Sequence, residues 1–274
     1  SYAPGFVGTI LEALTFGFYQ APVTVTLEAM DDFSGIHSFV YSYALQEGVS
    51  DINNGKTTVV VHEEDLTIDG KHATYTFTIP PQFRGNVSFK ATDKATLESS
   101  LTHEQILVID TVAPGITVSY DNMNALHDSY YDSPRTATIR IEEANFFEQD
   151  IEDGLLLITV GKTLNDGTHT VTNPKPTFTK NGDVYTAEIT FAEDADYTFD
   201  ISYTDRSGNV FDSYAEDHFT VDMIKPEILV TYDNNNARNG DQFAANRTAT
   251  IRITEHNFTP DQVVVNVSAN GNSI

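Results

Sequence analysis

One property of this chain limits its possible folds more than any other: part of it is written twice at a fixed spacing. Asp110, Pro114, Ile116, Val118, Tyr120, Asp121, Asn122, Asn124 and Ala125 recur as Asp222, Pro226, Ile228, Val230, Tyr232, Asp233, Asn234, Asn236 and Ala237, a shift of 112 residues. At the same shift Arg135 to Ile141 (Arg-Thr-Ala-Thr-Ile-Arg-Ile) reappears letter for letter as Arg247 to Ile253. Glu143, Asn145 and Phe146 then match Glu255, Asn257 and Phe258. A long fixed period of this kind marks like structural units in tandem. The front of the chain is a weaker copy: Tyr19, Pro22, Thr24 and Thr26 align with Tyr131, Pro134, Thr136 and Thr138, and Thr92-Asp93 aligns with Thr204-Asp205. The units read as 1–109, 110–221 and 222–274, the last covering about half a period. Neighbouring domains of a longer parent chain are therefore expected.

Within each unit the short-range period is two. Ala137, Ile139 and Ile141 alternate with Thr136, Thr138 and Arg140, which places an apolar set on one face of a strand. Tyr75 to Ile79, Val87 to Ala91, Tyr185 to Phe191 and Tyr197 to Tyr203 alternate in the same way, and no segment carries a sustained helical stripe. Asn54-Gly55, Asp69-Gly70, Asp166-Gly167 and Asn181-Gly182 punctuate the strands as turns. Around seven short strands in ~100 residues predict an antiparallel two-sheet sandwich. The fold expected is all-β: tandem immunoglobulin-like antiparallel β-sandwiches, end to end. The segment Asp194-Ala-Asp-Tyr197 fits a tyrosine corner, in which the phenol bonds back to upstream backbone. Unit one has no Tyr at the matching place.

Charge and composition then exclude whole classes of function. Forty acidic residues against fifteen basic ones leave a net charge of −25, so a nucleic-acid partner is not expected. No run approaches the ~20 apolar residues of a membrane helix, so direct membrane insertion is not expected either. The apolar start, Gly5 to Phe18, carries Glu12 and lacks a basic flank, which makes it a poor signal peptide and leaves any export signal to lie elsewhere. With no cysteine there is no disulfide, thiolate metal site or thiol nucleophile, and apolar packing must hold each sandwich. His62-Glu-Glu-Asp-Leu66 and His103-Glu-Gln-Ile-Leu107 lack the second His of a zinc helix and read as strand ends. No Gly-rich phosphate loop and no nucleophile elbow occur. An enzyme is not expected.

The junctions Asp110-Thr-Val-Ala-Pro114 and Asp222-Met-Ile-Lys-Pro226, the segment Asp31-Asp-Phe-Ser-Gly-Ile36 and the hairpin Thr204-Asp-Arg-Ser-Gly-Asn209 follow one another in a fixed order. In this the chain resembles the bacterial immunoglobulin-like (Big-type) tandem repeats of exported and cell-surface proteins. That resemblance implies an extracellular rod of modules, acting as stalk, spacer or adhesin. Unit one departs from it at Asp93-Lys-Ala-Thr-Leu97, which lacks the Gly-Asn of the hairpin. Rival readings are a ligand-binding module for a host glycan or protein, centred on the divergent unit one, and accessory domains of a secreted carbohydrate-active enzyme. The aromatic residues Tyr130, Tyr131 and Phe243, expected in a loop between the first two strands, either serve such binding or close the sandwich edge. The sequons at Asn86, Asn246, Asn257 and Asn266 matter only in a glycosylating host. Lys90 is a weak candidate for an isopeptide crosslink.

In such a module the entering linker, the loop after the second strand and the last hairpin meet at one end. In unit two these hold Asp110, Glu142, Glu143, Asn145, Asp205 and Asn209. Ca²⁺ takes six to eight oxygens, from carboxylates, amides and carbonyls, and Asp110, Glu143, Asn145, Asp205 and Asn209 supply that chemistry. Asp and Asn are also what turns use without any metal. Asp222, Glu255 and Asn257 repeat the pattern in unit three, without its hairpin. Half a sandwich there exposes Ala249, Ile251 and Ile253, so unit three is expected to be marginally stable or to lean on unit two or on a neighbouring chain.

Overall fold

The computed structural model describes residues 17–45, 58–79, 81–99, 105–212, 214–269 and 272–273. The turn expected at Asn54-Gly55, the strand end at His103 and the apolar start up to residue 16 lie outside the described residues, as does the side chain of Asn86.

Unit one contains β1 (Gly17–Tyr19), β2 (Val23–Met30), β3 (Ile36–Leu45), β4 (Thr58–His62), β5 (Thr67–Asp69), β6 (His72–Ile79), β7 (Phe83–Asp93) and β8 (Gln105–Ile109). They form two sheets, β1-β8-β7-β3-β4 and β2-β6-β5. Unit two repeats the plan with β9 (Gly115–Tyr120), β10 (Tyr130–Tyr131), β11 (Arg135–Glu142), β12 (Leu156–Leu164), β13 (His169–Thr172), β14 (Thr179–Asn181), β15 (Val184–Phe191), β16 (Ala195–Tyr203) and β17 (Asp217–Val221). Its sheets are β10-β17-β16-β12-β13 and β14-β15-β11-β9. One short helical turn, α1 (Gln149–Glu152), follows β11. Both units are β-sandwiches of the immunoglobulin type.

Alternation decides which residues fill the space between the sheets. Ala137, Ile139 and Ile141 of β11 are all 0% exposed, and they face Phe199, Ile201 and Tyr203 of β16 within one cluster. Leu27, Phe39, Phe83 and Ile109 form the equivalent core of unit one. Burying each such side chain contributes about 1.5–3 kcal/mol, which stands in for the missing disulfide. The hairpins turn where expected: Gly70 and Gly182 take φ of 62° and 64°, a left-handed conformation open to glycine. Tyr197 closes the tyrosine corner. Its hydroxyl donates to the Glu193 carbonyl at 3.1 Å and accepts from the Glu193 amide at 3.2 Å.

One expectation needs correction, and the expected sandwich plan gains a detail. In the otherwise antiparallel sheets one edge pair of each unit is parallel: β1 with β8, and β10 with β17. After β9 pairs with β11 in one sheet, the chain crosses to the other and adds β10 beside the last strand. Such a crossing makes a parallel pair because both strands head for the same end. Tyr130 and Tyr131 are therefore strand residues rather than loop residues, and Tyr131 is buried against the core.

Unit three supplies β18 (Glu227–Tyr232) and β19 (Ala249–Thr254), paired antiparallel as a two-stranded sheet. Its inward-type residues are open: Ile228 is 65% exposed, Val230 45% and Ile251 41%. Unit two does not cover them.

A candidate metal centre at the joint between units one and two

Asp110 leaves β8 at the end of unit one, Glu143 and Asn145 follow β11, and Asp205 and Asn209 sit in the hairpin after β16. The sandwich brings all five to one pole of unit two, where each is buried. Asp110, Glu143 and Asp205 each present a carboxylate oxygen within 4.8 Å of the others, the only such cluster found among the described residues. Asn145 donates its amide to Asp110 at 2.6 Å, and its backbone N–H bonds Glu143 at 2.7 Å. Asn209 donates its side-chain amide to the Asp110 carbonyl at 2.9 Å and to the Asp205 carboxylate at 2.8 Å. The backbone amide of Asn209 adds a third bond, at 2.8 Å to Asp205, and that of Val112 caps Asp110 at 3.0 Å.

These amides hold the carboxylates in place but leave their charge uncompensated, and no ion pair among the described residues reaches the three acids. Burial pushes Glu143 up to about 8, against an opposing bond from the Asn145 amide and with help from the charges of Asp110 and Asp205. Burial also raises Asp205, while the Asn209 bonds pull the other way. Three converging carboxylates fit a hard divalent cation in kind, while the two Asn side chains turn their NH2 groups towards them. A cation would offset both the burial and the lesser carboxylate repulsion that raise Glu143.

Glu142 does not belong to the site. One position earlier in the strand puts it on the opposite face, where it is exposed and paired with Arg140. Asp222, Glu255 and Asn257 reproduce the first half of the arrangement at longer range. Asn257 reaches Glu255 at 3.2 Å and Asp222 at 3.3 Å, and all three are only half-buried. In unit one, Asp31 and Asp93 occupy the positions of Glu143 and Asp205. Asp31 is satisfied by Ser34 and Gly35, whose N–H and hydroxyl bonds lower its pKa; Asp93 accepts the Leu97 amide at 2.7 Å.

Beside the carboxylates lies a clamp that the sequence did not announce. Phe147 has the Arg206 guanidinium 4.8 Å from its ring centre, Arg84 of unit one at 5.5 Å, and Phe18 edge-on at 6.0 Å. Arg84 also donates to Asn145 at 3.3 Å, and Gln20 donates to the Gly208 carbonyl at 3.0 Å. Arg206 is anchored by the fully buried Asp150 at 2.6 Å, which also accepts the Tyr203 hydroxyl at 2.8 Å. The Arg206-Ser-Gly segment reads as turn chemistry alone, because nothing local links it to Asp150, 56 residues away.

No family model matches the chain, and no curated protein matches it in sequence. Among solved structures it is similar to a tetra-tandem repeat in the extending region of a large adhesion protein. That match has 15% identity and a TM-score of 0.39, over 83% of this chain and 52% of the other. It is also similar to dimeric latent PorU from Porphyromonas gingivalis, with 14% identity and a TM-score of 0.31, over 86% of this chain and 24% of that one. The chain thus spans about half the length of the first and about a quarter of the second. At such low similarity, function must be argued from the site.

Proposed function

We propose that this chain is a non-catalytic spacer segment of an exported bacterial surface protein, built of Big-type immunoglobulin-like repeats whose joints are stiffened by Ca²⁺. The carrying observation is the buried triad Asp110, Glu143 and Asp205 at the junction of two sandwiches. Its members come from the linker, the strand end and the hairpin, so one ion ties the entering chain to the module it enters. With the cation in place, carboxylate repulsion becomes attraction, and the Phe147 clamp holds unit one at a fixed angle. Bound only by the native state, the ion stabilises that state by mass action. The test is a thermal melt in EDTA, in millimolar Ca²⁺ and in Mg²⁺, with Glu143→Gln alongside. A rise specific to Ca²⁺ and absent from the variant supports the joint. Superimposed curves for the unmodified chain would reduce the triad to a strained turn.

A second reading, a binding module for a host glycan or protein, draws on one observation. Phe33 is 88% exposed beside Asp31 and Asp32, on the rim of a groove of about 360 Å³ that Lys71, His72 and Lys94 also line. Unit two has the buried Asn145 at the matching position. An array screen of glycans and surface proteins would test it, with the signal required to disappear in Phe33→Ala.

A further inference from the structure

One N–H group of the buried arginine in unit two has a poor acceptor, and the second copy of the same loop shows a better one. Arg135 is 6% exposed, and its guanidinium lies against the rings of Tyr120, Tyr131 and Phe219. The rings compensate its charge, but its N–H groups still call for acceptor atoms. Nε donates to the Asn122 carbonyl at 3.0 Å. Nη2 meets the Met123 sulfur at 3.9 Å, and a thioether accepts only weakly.

At the repeat's shift of 112 residues Arg135 becomes Arg247, Asn122 becomes Asn234 and Met123 becomes Asn235. The frame around them is kept. Arg247 donates through Nε to the Asn234 carbonyl at 2.7 Å and lies over Tyr232 and Phe243. Both loops close on the same turn: Asn122 Oδ1 accepts the Asn124 amide at 3.0 Å, and Asn234 Oδ1 accepts that of Asn236 at 3.1 Å. The acceptor of Nη2 is what differs. In unit three it is Oδ1 of Asn235, at 3.0 Å. This backbone therefore carries position 123 where an oxygen on its side chain reaches the arginine. Met123 itself is 68% exposed, so its sulfur is open to oxidants in solution while the guanidinium beside it stays buried.

We propose that Met123 is an oxidation site for hydrogen peroxide, and that the oxygen of its sulfoxide accepts Nη2 of Arg135. The sulfur lone pair attacks one peroxide oxygen, the O–O bond breaks and an S–O bond forms. The other oxygen leaves as water with both peroxide protons, so sulfur gives up two electrons and peroxide takes them. One oxygen fits at hydrogen-bond length between a sulfur and a nitrogen 3.9 Å apart. Methionine oxidation commonly disrupts packing, because it makes an apolar side chain polar. At Met123 the new oxygen meets a charged donor, and bonds to charged groups are among the stronger ones. The bond pins the connection between β9 and β10 to the start of β11. A sulfoxide reductase, with two electrons from a thiol, restores the thioether.

The test is peroxide treatment of the whole chain carrying Met30→Leu and Met223→Leu, which leaves Met123 as the one methionine of three. Mass spectrometry follows the oxidation, and native-state hydrogen exchange at residues 137–141 follows stability. The expected result is full conversion of the folded chain, with exchange there slowed about tenfold by one added bond to a charged group. Sulfoxide reductase should return the original rates. In the same background, untreated Met123→Asn should exchange more slowly than Met123→Leu by a similar factor, and peroxide should leave Met123→Leu unchanged. Exchange that quickens or stays the same on oxidation overturns the proposal, as does a Met123 that resists peroxide in the folded chain. An equal slowing in peroxide-treated Met123→Leu overturns it too, because the effect would then arise at another residue.

Discussion

Units two and three share the strand Arg135 to Ile141 letter for letter and several residues on either side of it, yet one is a packed sandwich and the other an open sheet. What they retain in common separates local structure from long-range structure. Arg135 sits 3.7 Å from the Tyr120 ring centre and 4.2 Å from that of Tyr131, and it donates to the Asn122 carbonyl at 3.0 Å. Arg247 repeats this over Tyr232 and Phe243 at 3.7 and 4.2 Å, with a bond to Asn234 at 2.7 Å. Asp121 and Asp233 both cap the following strand, accepting the Thr136 and Thr248 amides at 2.7 and 2.8 Å. These devices join residues fewer than twenty apart and form in either context. Burial does not follow from them. Arg135 gains Phe219 at 4.7 Å from the second half, and its strand gains a core; Arg247 and β19 gain neither.

The comparison can be broken most sharply by one substitution made twice. Ile139→Ala should destabilise unit two by about 2–5 kcal/mol, the usual cost of emptying a packed site. Ile251→Ala, the same change in the same letters, should move stability by no more than ~0.5 kcal/mol. Denaturant titration of both variants measures the contrast, and equal losses would show that unit three has a core after all. Next in size is the cation. At a hundredfold excess over its dissociation constant, Ca²⁺ should add about 2.7 kcal/mol, lost in Asp205→Ala and kept in Glu255→Ala, because among the described residues the three converging carboxylates are those of unit two.

Acidity gives a third test, and its sign is fixed. Glu143 titrates near 8 in the folded protein, above its ordinary 4.5. The folded state therefore holds a proton that the unfolded chain releases. Its contribution is whole below about pH 4.5 and is lost as the pH rises to about 8. In EDTA the melting temperature should fall across that window relative to Glu143→Gln, and Ca²⁺ should cancel the fall. The smallest effect expected is that of Tyr197→Phe, about 1 kcal/mol for the corner's hydrogen bonding, read as a lower midpoint for unit two alone.

Alternation made the strands legible, so β6, β11, β15 and β16 stand where the period of two placed them. The five residues around the joint were legible for a different reason: an immunoglobulin-like plan fixes which loops share a pole, and the repeat identified those loops. Glu142 was misplaced because adjacency in sequence says nothing about which side of a strand a residue takes at its last position. The crossing that pairs β10 with β17 stayed hidden, since a two-residue strand has no period to read. Arg84, Phe147 and Asp150 were hidden because their contacts span tens of residues and no motif ties them together.

The two parallel pairs bear on what happens when a chain of such units is pulled. Tension enters unit two at Asp110 and leaves at Asp222, the opposite pole, where the last backbone bond runs from the Asp222 amide to the Tyr131 carbonyl at 2.8 Å. Because β10 and β17 point the same way, a force drawing β17 outward slides it along β10 instead of peeling it away. Tyr130 to Thr220 and Tyr131 to Val221 then resist together, as rungs loaded in shear, and the patch must fail as a whole before the core behind it is exposed.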